Sequence, residues 1–370
     1  MEVTLKQGYT LVYRVFDIGE EINLSAAEKI LANQAYRARL KLTKAAGQAL
    51  IIRDPPIRLN LGESILQIGG KTVSAELVAT VWDYGVVSLV FQLPIVQGTT
   101  WTELVKLSDL LQSDAATVGY IDELARTRAS EITKLLGNSL KRPIDHALYE
   151  DYVIFFIQEV NEIRLASELI AKVDIESLIL GESSEALSER MRKPISEYLF
   201  QYAENDLAVV DWNSALVLEP SGKREVPDIL EFALTHLLEF RFYDELLDVR
   251  MRELYDQVEA RRQSLWASYF SSSSKEANTR FLEFSEFIER VDNSLKVVGD
   301  FYLAGIFRAA VRRFRLADWQ QSVTRKLNLF TRVSELLQGE LNVWRGHVLE
   351  FVVIFLIAFE IVSAILRSKI

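Results

Sequence analysis

A heptad seam that runs unbroken into a nearly uncharged stretch constrains this chain more than any other feature. Stepping 4, 3, 4, 3 from Leu316, the positions are Leu316, Gln320, Val323, Leu327, Phe330, Ser334, Leu337, Leu341, Trp344, Val348, Phe351 and Phe355, and only Gln320 and Ser334 are polar. A 3.5-residue apolar period is the signature of a coiled coil. The coiled-coil seam proper is assigned to Val323, Leu327, Phe330, Leu337, Leu341 and Trp344. The final stretch, 348–366, reads VLEFVVIFLIAFEIVSAIL. Its residues 351–357 place Val, Ile, Leu or Phe on every side of a helix, and such a helix must be buried in protein or in lipid.

Magnitudes frame that choice. Fourteen of the nineteen residues in 348–366 are Val, Ile, Leu or Phe, worth roughly 4–8 kcal/mol of insertion free energy, against roughly 3 kcal/mol for a carboxylate near the middle. Glu360 is that carboxylate, and Glu350 lies near the edge. The longest uncharged run, 351–359, falls short of the eighteen or more residues that usually mark a span. The expectation is a C-terminal single-pass transmembrane helix, a tail anchor holding a cytosolic body at a membrane, with a bacterial inner membrane as the localisation. The start, MEVTLKQGYTLVYRVF, has no signal-peptide pattern, which favours a cytosolic body. The competing expectation is a soluble homo-oligomer whose tail is buried between chains. Leu349, Glu350, Phe351, Phe355 and Glu360 are the membrane or oligomer-helix residues under either reading.

Composition narrows the chemistry. There are no cysteines, so disulfides, thiolate metal sites and cysteine nucleophiles are excluded. The three histidines, His146, His236 and His347, are far apart with no ligand spacing. No cofactor or metal is expected. A net charge of −10 disfavours broad nucleic-acid binding, and no DNA partner is expected. One local exception is Arg308, Arg312 and Arg315, which share a helical face beside Arg313. They read as a solvated or salt-bridged face, or as a contact for anionic lipid heads or RNA.

The pattern along the chain is α+β: an N-terminal mixed domain over 1–220, a helical hairpin or coiled-coil region over 227–345, and the apolar tail helix over 348–366. Strand composition marks 9–18, 49–52, 57–61, 76–82, 85–93 and 149–160. The second strand of the 76–93 hairpin carries apolar residues at both parities, as a centrally placed strand does. Helical spacing marks 24–33, with Ser25 as cap and Glu28 as its capping-box partner, then 101–111, 121–136 and one or two short helices in 165–180. Strands at 195–201 and 207–218 close the domain at Glu219-Pro220-Ser221-Gly222. Beyond it, Pro227 opens a long helix to about 266, a second runs from 278 to 315, and Asp318 caps the last.

Candidate catalytic motifs fail. Gly69-Gly70-Lys71-Thr72 resembles the end of a phosphate loop, but Ile65 stands where the required glycine would be, and the segment that follows is strand-like. A hairpin turn explains it better. Asp145-His146 has no nucleophile beside it in the sequence, and no Gly-x-Ser-x-Gly elbow exists.

The final third resembles a known family. Trp319, Lys326-Leu327, Leu349-Glu350 and Glu360, with the strands DYGVVSLVF at 83–91 and EDYVIFFIQEV at 150–160, are similar to the required-for-meiotic-nuclear-division family, the Sif-type or YagE-related domain of unknown function. The resemblance covers roughly residues 50–366, and Trp344-Arg345-Gly346-His347 departs from the family's charged pattern. It implies a non-enzymatic, membrane-tethered scaffold or adaptor without established catalysis. It also implies a role linked to translation through a ribosomal or other protein partner. The residues alone leave open a ligand-binding or enzymatic N-terminal domain merely localised by the tail.

Overall fold

A computed structural model describes residues 2–31, 37–39, 55–144, 148–184, 187–261, 284 and 301–367. The chain is α+β, and it divides into two compact units, Met1–Phe242 with Val291–Trp319 and Tyr243–Arg290 with Gln320–Ile370.

The first unit is built on a nine-stranded sheet. Its strands are β1 (Leu5–Asp17), β3 (Arg37–Arg39), β4 (Ile57–Ile68), β5 (Lys71–Val81), β6 (Val86–Pro94), β8 (Tyr149–Val160), β9 (Leu199–Phe200), β10 (Leu207–Val210) and β11 (Ser214–Leu218). The order is β3-β4-β5-β6-β1-β8-β11-β10-β9. Neighbours are antiparallel except β8 and β11, which run parallel with Ser214 opposite Val153 and Leu218 opposite Ile157. A separate ribbon pairs β2 (Gly19–Ile22) with β7 (Leu140–Pro143).

The central strands β1, β6 and β8 are buried almost throughout, because helices cover both faces. On one face Val12 and Phe16 of β1, Leu89 and Phe91 of β6, and Val153 and Phe155 of β8 belong to one apolar cluster. Its helical side comes from α2 (Trp101–Ser113), α3 (Ala115–Leu136), α4 (Ala166–Lys172) and α5 (Ile175–Leu180). The other face carries the alternate parity and meets the first half of α7 (Glu225–Arg261) and α8 (Phe301–Arg313). There the Trp82 ring stacks on Phe232 at 5.4 Å and Tyr152 meets Phe314 edge-on at 5.5 Å. The remaining helices of this unit are α1 (Leu24–Ile30) and α6 (Glu189–Ser196).

Several local expectations shift. The cap of α1 is Asn23, whose side chain accepts from the Ala26 N–H, and not Ser25. Of the segment expected as a strand at 195–201, only Ile195 and Ser196 fall in α6; a turn at 197–198 follows, and Leu199–Phe200 form a two-residue strand at the sheet edge. The run 207–218 is a hairpin, turned at Asp211-Trp212-Asn213. Gly69 and Gly70 form the β4–β5 turn with φ of +55° and +74°, a conformation glycine adopts without a Cβ clash. The strand expected at 49–52, the Asp145-His146 pair and most of 262–300 lie outside the described residues.

The second unit contains the second half of α7 and nearly all of α9 (Leu316–Arg367). Asp318 lies in the first turn of α9, paired with Arg315 at 2.7 Å, so it does not cap the helix. Leu247 and Met251 of α7 and Val323, Leu327 and Phe330 of α9 are buried. Lys326 Nζ lies 2.9 Å from Asp244 Oδ1 and 2.6 Å from Asp248 Oδ1, and Ser322 Oγ donates to Asp244 at 2.8 Å. Burial works against the Lys326 charge, but Asp248 and Asp244 outweigh it and raise its pKa.

The expected transmembrane tail anchor, and with it the localisation at a membrane, is corrected: among the described residues no helix is long and apolar enough to cross a membrane. Glu350 and Glu360 leave nine uncharged residues between them. That is about 13 Å of helix against a hydrocarbon core of about 30 Å.

Candidate functional site

Charged side chains in the body are spent on holding helices to the sheet. Arg14 projects from the middle of β1 and is fully buried; its Nε donates to Asp122 Oδ1 at 2.6 Å and its Nη1 to the Tyr13 carbonyl at 2.8 Å. The Tyr149 hydroxyl donates to the other Asp122 oxygen at 2.5 Å, and burial together with that bond pushes the phenol up to about 12. On the opposite face, Arg58 of β4 reaches Asp228 at 2.7 Å and Glu231 at 3.4 Å, both on α7. Burial works against the Arg58 charge, yet the two carboxylates raise its pKa further. Burial raises the Glu231 carboxyl, while Arg58 pulls it back. Arg241 pairs with Glu150, whose carboxyl burial nevertheless lifts to about 7. Arg313 turns inward to Asp211 and lies 4.9 Å over the Tyr198 ring, while Arg308, Arg312 and Arg315 face outward.

These networks are ionic clamps. Breaking one side of such a pair leaves a buried charge, which is why they position elements so firmly. His236 sits among Tyr84, Phe232 and Phe307, and burial pushes its imidazole down to about 3, so it is neutral at physiological pH. Among the described residues no group of three or more His, Asp or Glu side chains is arranged to hold a metal ion.

The second half of α9 is different. Leu349, Phe351 and Phe355 are exposed, as are Glu350 and Glu360. Nine apolar side chains within 349–359 are between 46% and 73% exposed. Together they present on the order of 1,000 Å² of apolar surface, more than the roughly 300–600 Å² of the largest patch on a typical monomer. His347 Nδ1 approaches Glu350 at 3.8 Å in an exposed pair, which contributes little. Of the expected seam, Val323, Leu327 and Phe330 are buried. Leu337, Leu341 and Trp344 lie on α9, with their side chains outside the described residues. The seam positions at 316–330 and 351–355 therefore have opposite environments on one helix.

Sequence reasoning missed Arg14 and Arg58. The available signal was a single charge inside an otherwise apolar or alternating strand pattern, as in LVYRVF and PIRLNL. Its partners on α3 and α7 lie 108 and 170 residues away and carry no sequence mark.

The sequence matches the family described as "Uncharacterized protein MJ0711, N-terminal domain" over residues 7–225. "Uncharacterized protein MJ0711" of Methanocaldococcus jannaschii is 22% identical over 221 residues, which is 59% of this chain and 66% of that protein, just under two thirds of its length. No solved structure matches the chain. The Trp319-to-Glu360 residues that suggest the meiotic-nuclear-division family lie beyond the matched segment.

Proposed function

We propose, on the premise that this chain belongs to the MJ0711 N-terminal domain family, that it is a scaffold or adaptor that acts by binding and associates with a second copy of itself through α9. The observation that carries this reading is the exposed apolar surface over 349–359. Its size is comparable to the roughly 800 Å² that each partner buries in a standard protein interface. A second copy is the occupant the sequence favours. The 3.5-residue period that buries Val323, Leu327 and Phe330 continues to Phe351 and Phe355, and a heptad seam is complementary to itself. Glu350 and Glu360 flank the run and would lie at its polar rim. The commitment of Arg14, Arg58, Arg241 and Arg313 to carboxylates within the fold supports a binding role over a catalytic one.

Light scattering coupled to size exclusion tests the reading on the full chain. The parent is expected to run as a dimer or larger oligomer, and the double variant Phe351→Glu, Phe355→Glu as a monomer with unchanged circular dichroism. A monomeric parent at tens of micromolar, or a double variant of unchanged mass, overturns it.

A further inference from the structure

β8 and β11 form the one parallel pair among the described strands, and their carboxyl ends open on a cleft of about 450 Å³. In open sheets, ligands gather beyond the carboxyl ends of parallel strands, where the connections diverge and leave a crevice. The volume falls in the range of small-molecule sites.

The walls are built from two turns. The chain leaves β8 through Asn161-Glu162, closed by a bridge between Val160 and Ile163. Asn161 is pinned to the first strand's approach: its N–H donates to the Thr4 carbonyl at 3.0 Å and its Nδ2 to Thr4 Oγ1 at 2.7 Å. Glu162 takes φ of +56°, a left-handed conformation uncommon for a non-glycine residue, and lines the cleft. On the β11 side the chain turns at Glu219-Pro220-Ser221-Gly222, where Gly222 has φ of +73°. A Cβ at Gly222 would lie 2.5 Å from Gln158 Nε2, so the end of the Gln158 side chain packs directly over the glycine. Leu218 and Pro220 add an apolar wall.

Two features can engage a ligand. Gln158 Oε1 is buried without a hydrogen-bond partner among the described residues, so an acceptor is left open there. Arg164 and Glu162 line the same cleft with opposite charges, and neither forms an ion pair with another described residue. The neighbouring Glu159 differs in being held by Lys6. A purely anionic ligand would be repelled by Glu162, and a purely cationic one by Arg164.

We infer that the cleft binds a small zwitterion of the α-amino-acid class, with its carboxylate on the Arg164 guanidinium and its ammonium on Glu162 and Gln158 Oε1. Guanidinium and carboxylate pair with two parallel hydrogen bonds, while an ammonium supplies the donors that the amide oxygen lacks. Leu218 and Pro220 favour an aliphatic side chain on the ligand. The site is independent of self-association through α9, and its residues fall within the segment matched by the family.

Calorimetric titration of the full-length chain with free amino acids, leucine first, at millimolar concentrations tests this. N-acetyl-leucine, leucinamide and leucyl-glycine serve as controls, blocking each charge in turn or moving the carboxylate. Leucine or another aliphatic amino acid is expected to bind, with both blocked forms weaker by at least about tenfold. Arg164→Gln and Gln158→Leu are each expected to weaken binding by about tenfold or more while leaving thermal unfolding in place. Tighter binding of leucyl-glycine would assign the same chemistry to a peptide. The inference is overturned if no free amino acid or dipeptide binds, if blocked forms bind equally well, or if Arg164→Gln, at an exposed position, binds as the parent does.

Discussion

Asp17 at the end of β1 makes the body sensitive to pH in a direction opposite to that of an ordinary ion-paired acid. Its side chain is 3% exposed and accepts from the Gly19 N–H at 3.1 Å. Burial pushes the carboxyl from its ordinary 3.8 to about 7; the Gly19 bond partly opposes this and the nearby Glu20 adds to it. Because the folded value is raised, the unfolded chain gives up this proton first. The stability associated with the neutral acid is fully present below about pH 4 and is lost as pH rises through about 7. At 1.36 kcal/mol per tenfold, the whole loss is about 4 kcal/mol as an upper bound, and water entering around the ionised group reduces it. Asp17→Asn keeps the shape and the Oδ1 acceptor but cannot ionise. Urea unfolding followed by circular dichroism at pH 4, 6 and 8 is the assay, with the slope against urea checked for constancy. Parent and variant should differ by less than about 0.5 kcal/mol at pH 4, and the variant should be more stable by about 2–4 kcal/mol at pH 8. Glu150 titrates over the same window but is common to both proteins, so the difference isolates Asp17. A gap that does not widen with pH, or a variant less stable than the parent at pH 8, refutes the reasoning.

Two further mutations probe the body. Arg14→Ala leaves Asp122 without its buried partner and should cost about 3–5 kcal/mol in urea unfolding. Arg14→Met combined with Asp122→Leu should recover a large part of that loss. At the start of α2, Thr100 Oγ1 accepts from the Glu103 N–H at 3.2 Å and Glu103 Oε2 accepts from the Thr100 N–H at 2.8 Å. Thr100→Ala should cost about 1 kcal/mol, read as a lower urea midpoint at unchanged slope.

Elements whose identity depends on their own residues were legible in the sequence. The strand over Tyr149–Val160 has the bounds its composition indicates, and the β5–β6 hairpin turns where Asp83-Tyr84-Gly85 places it. The apolar residues at both parities of β6 correctly indicated cover on two sides. Failures came where neighbours decide. Ile195 carries a strand-like side chain, but it is buried near the end of a helix that starts at Glu189. Asn23 rather than Ser25 caps α1, a shift of two residues that periodicity does not resolve. The tail's apolar count favoured a span even against Glu350 and Glu360, yet among the described residues no helix is long and apolar enough to cross a membrane. Of the proposed association surface, the sequence marked Leu349, Phe351 and Phe355; none of the cleft at Gln158, Glu162 and Arg164 was marked, because its walls meet only after β11 pairs with β8.

The sequence by itself determined the types of the long elements, the absence of thiol chemistry and the continuous apolar edge of α9, since each depends on residue type and period along one segment. Only the tertiary structure decided that β8 and β11 lie parallel, that Arg14 meets Asp122 while Arg58 meets Asp228 on the other face, and that the seam is buried at Val323 and exposed at Phe355. Those outcomes depend on contacts between residues tens to hundreds of positions apart. Local periodicity sets which face of an element is apolar, but it does not specify what that face will meet.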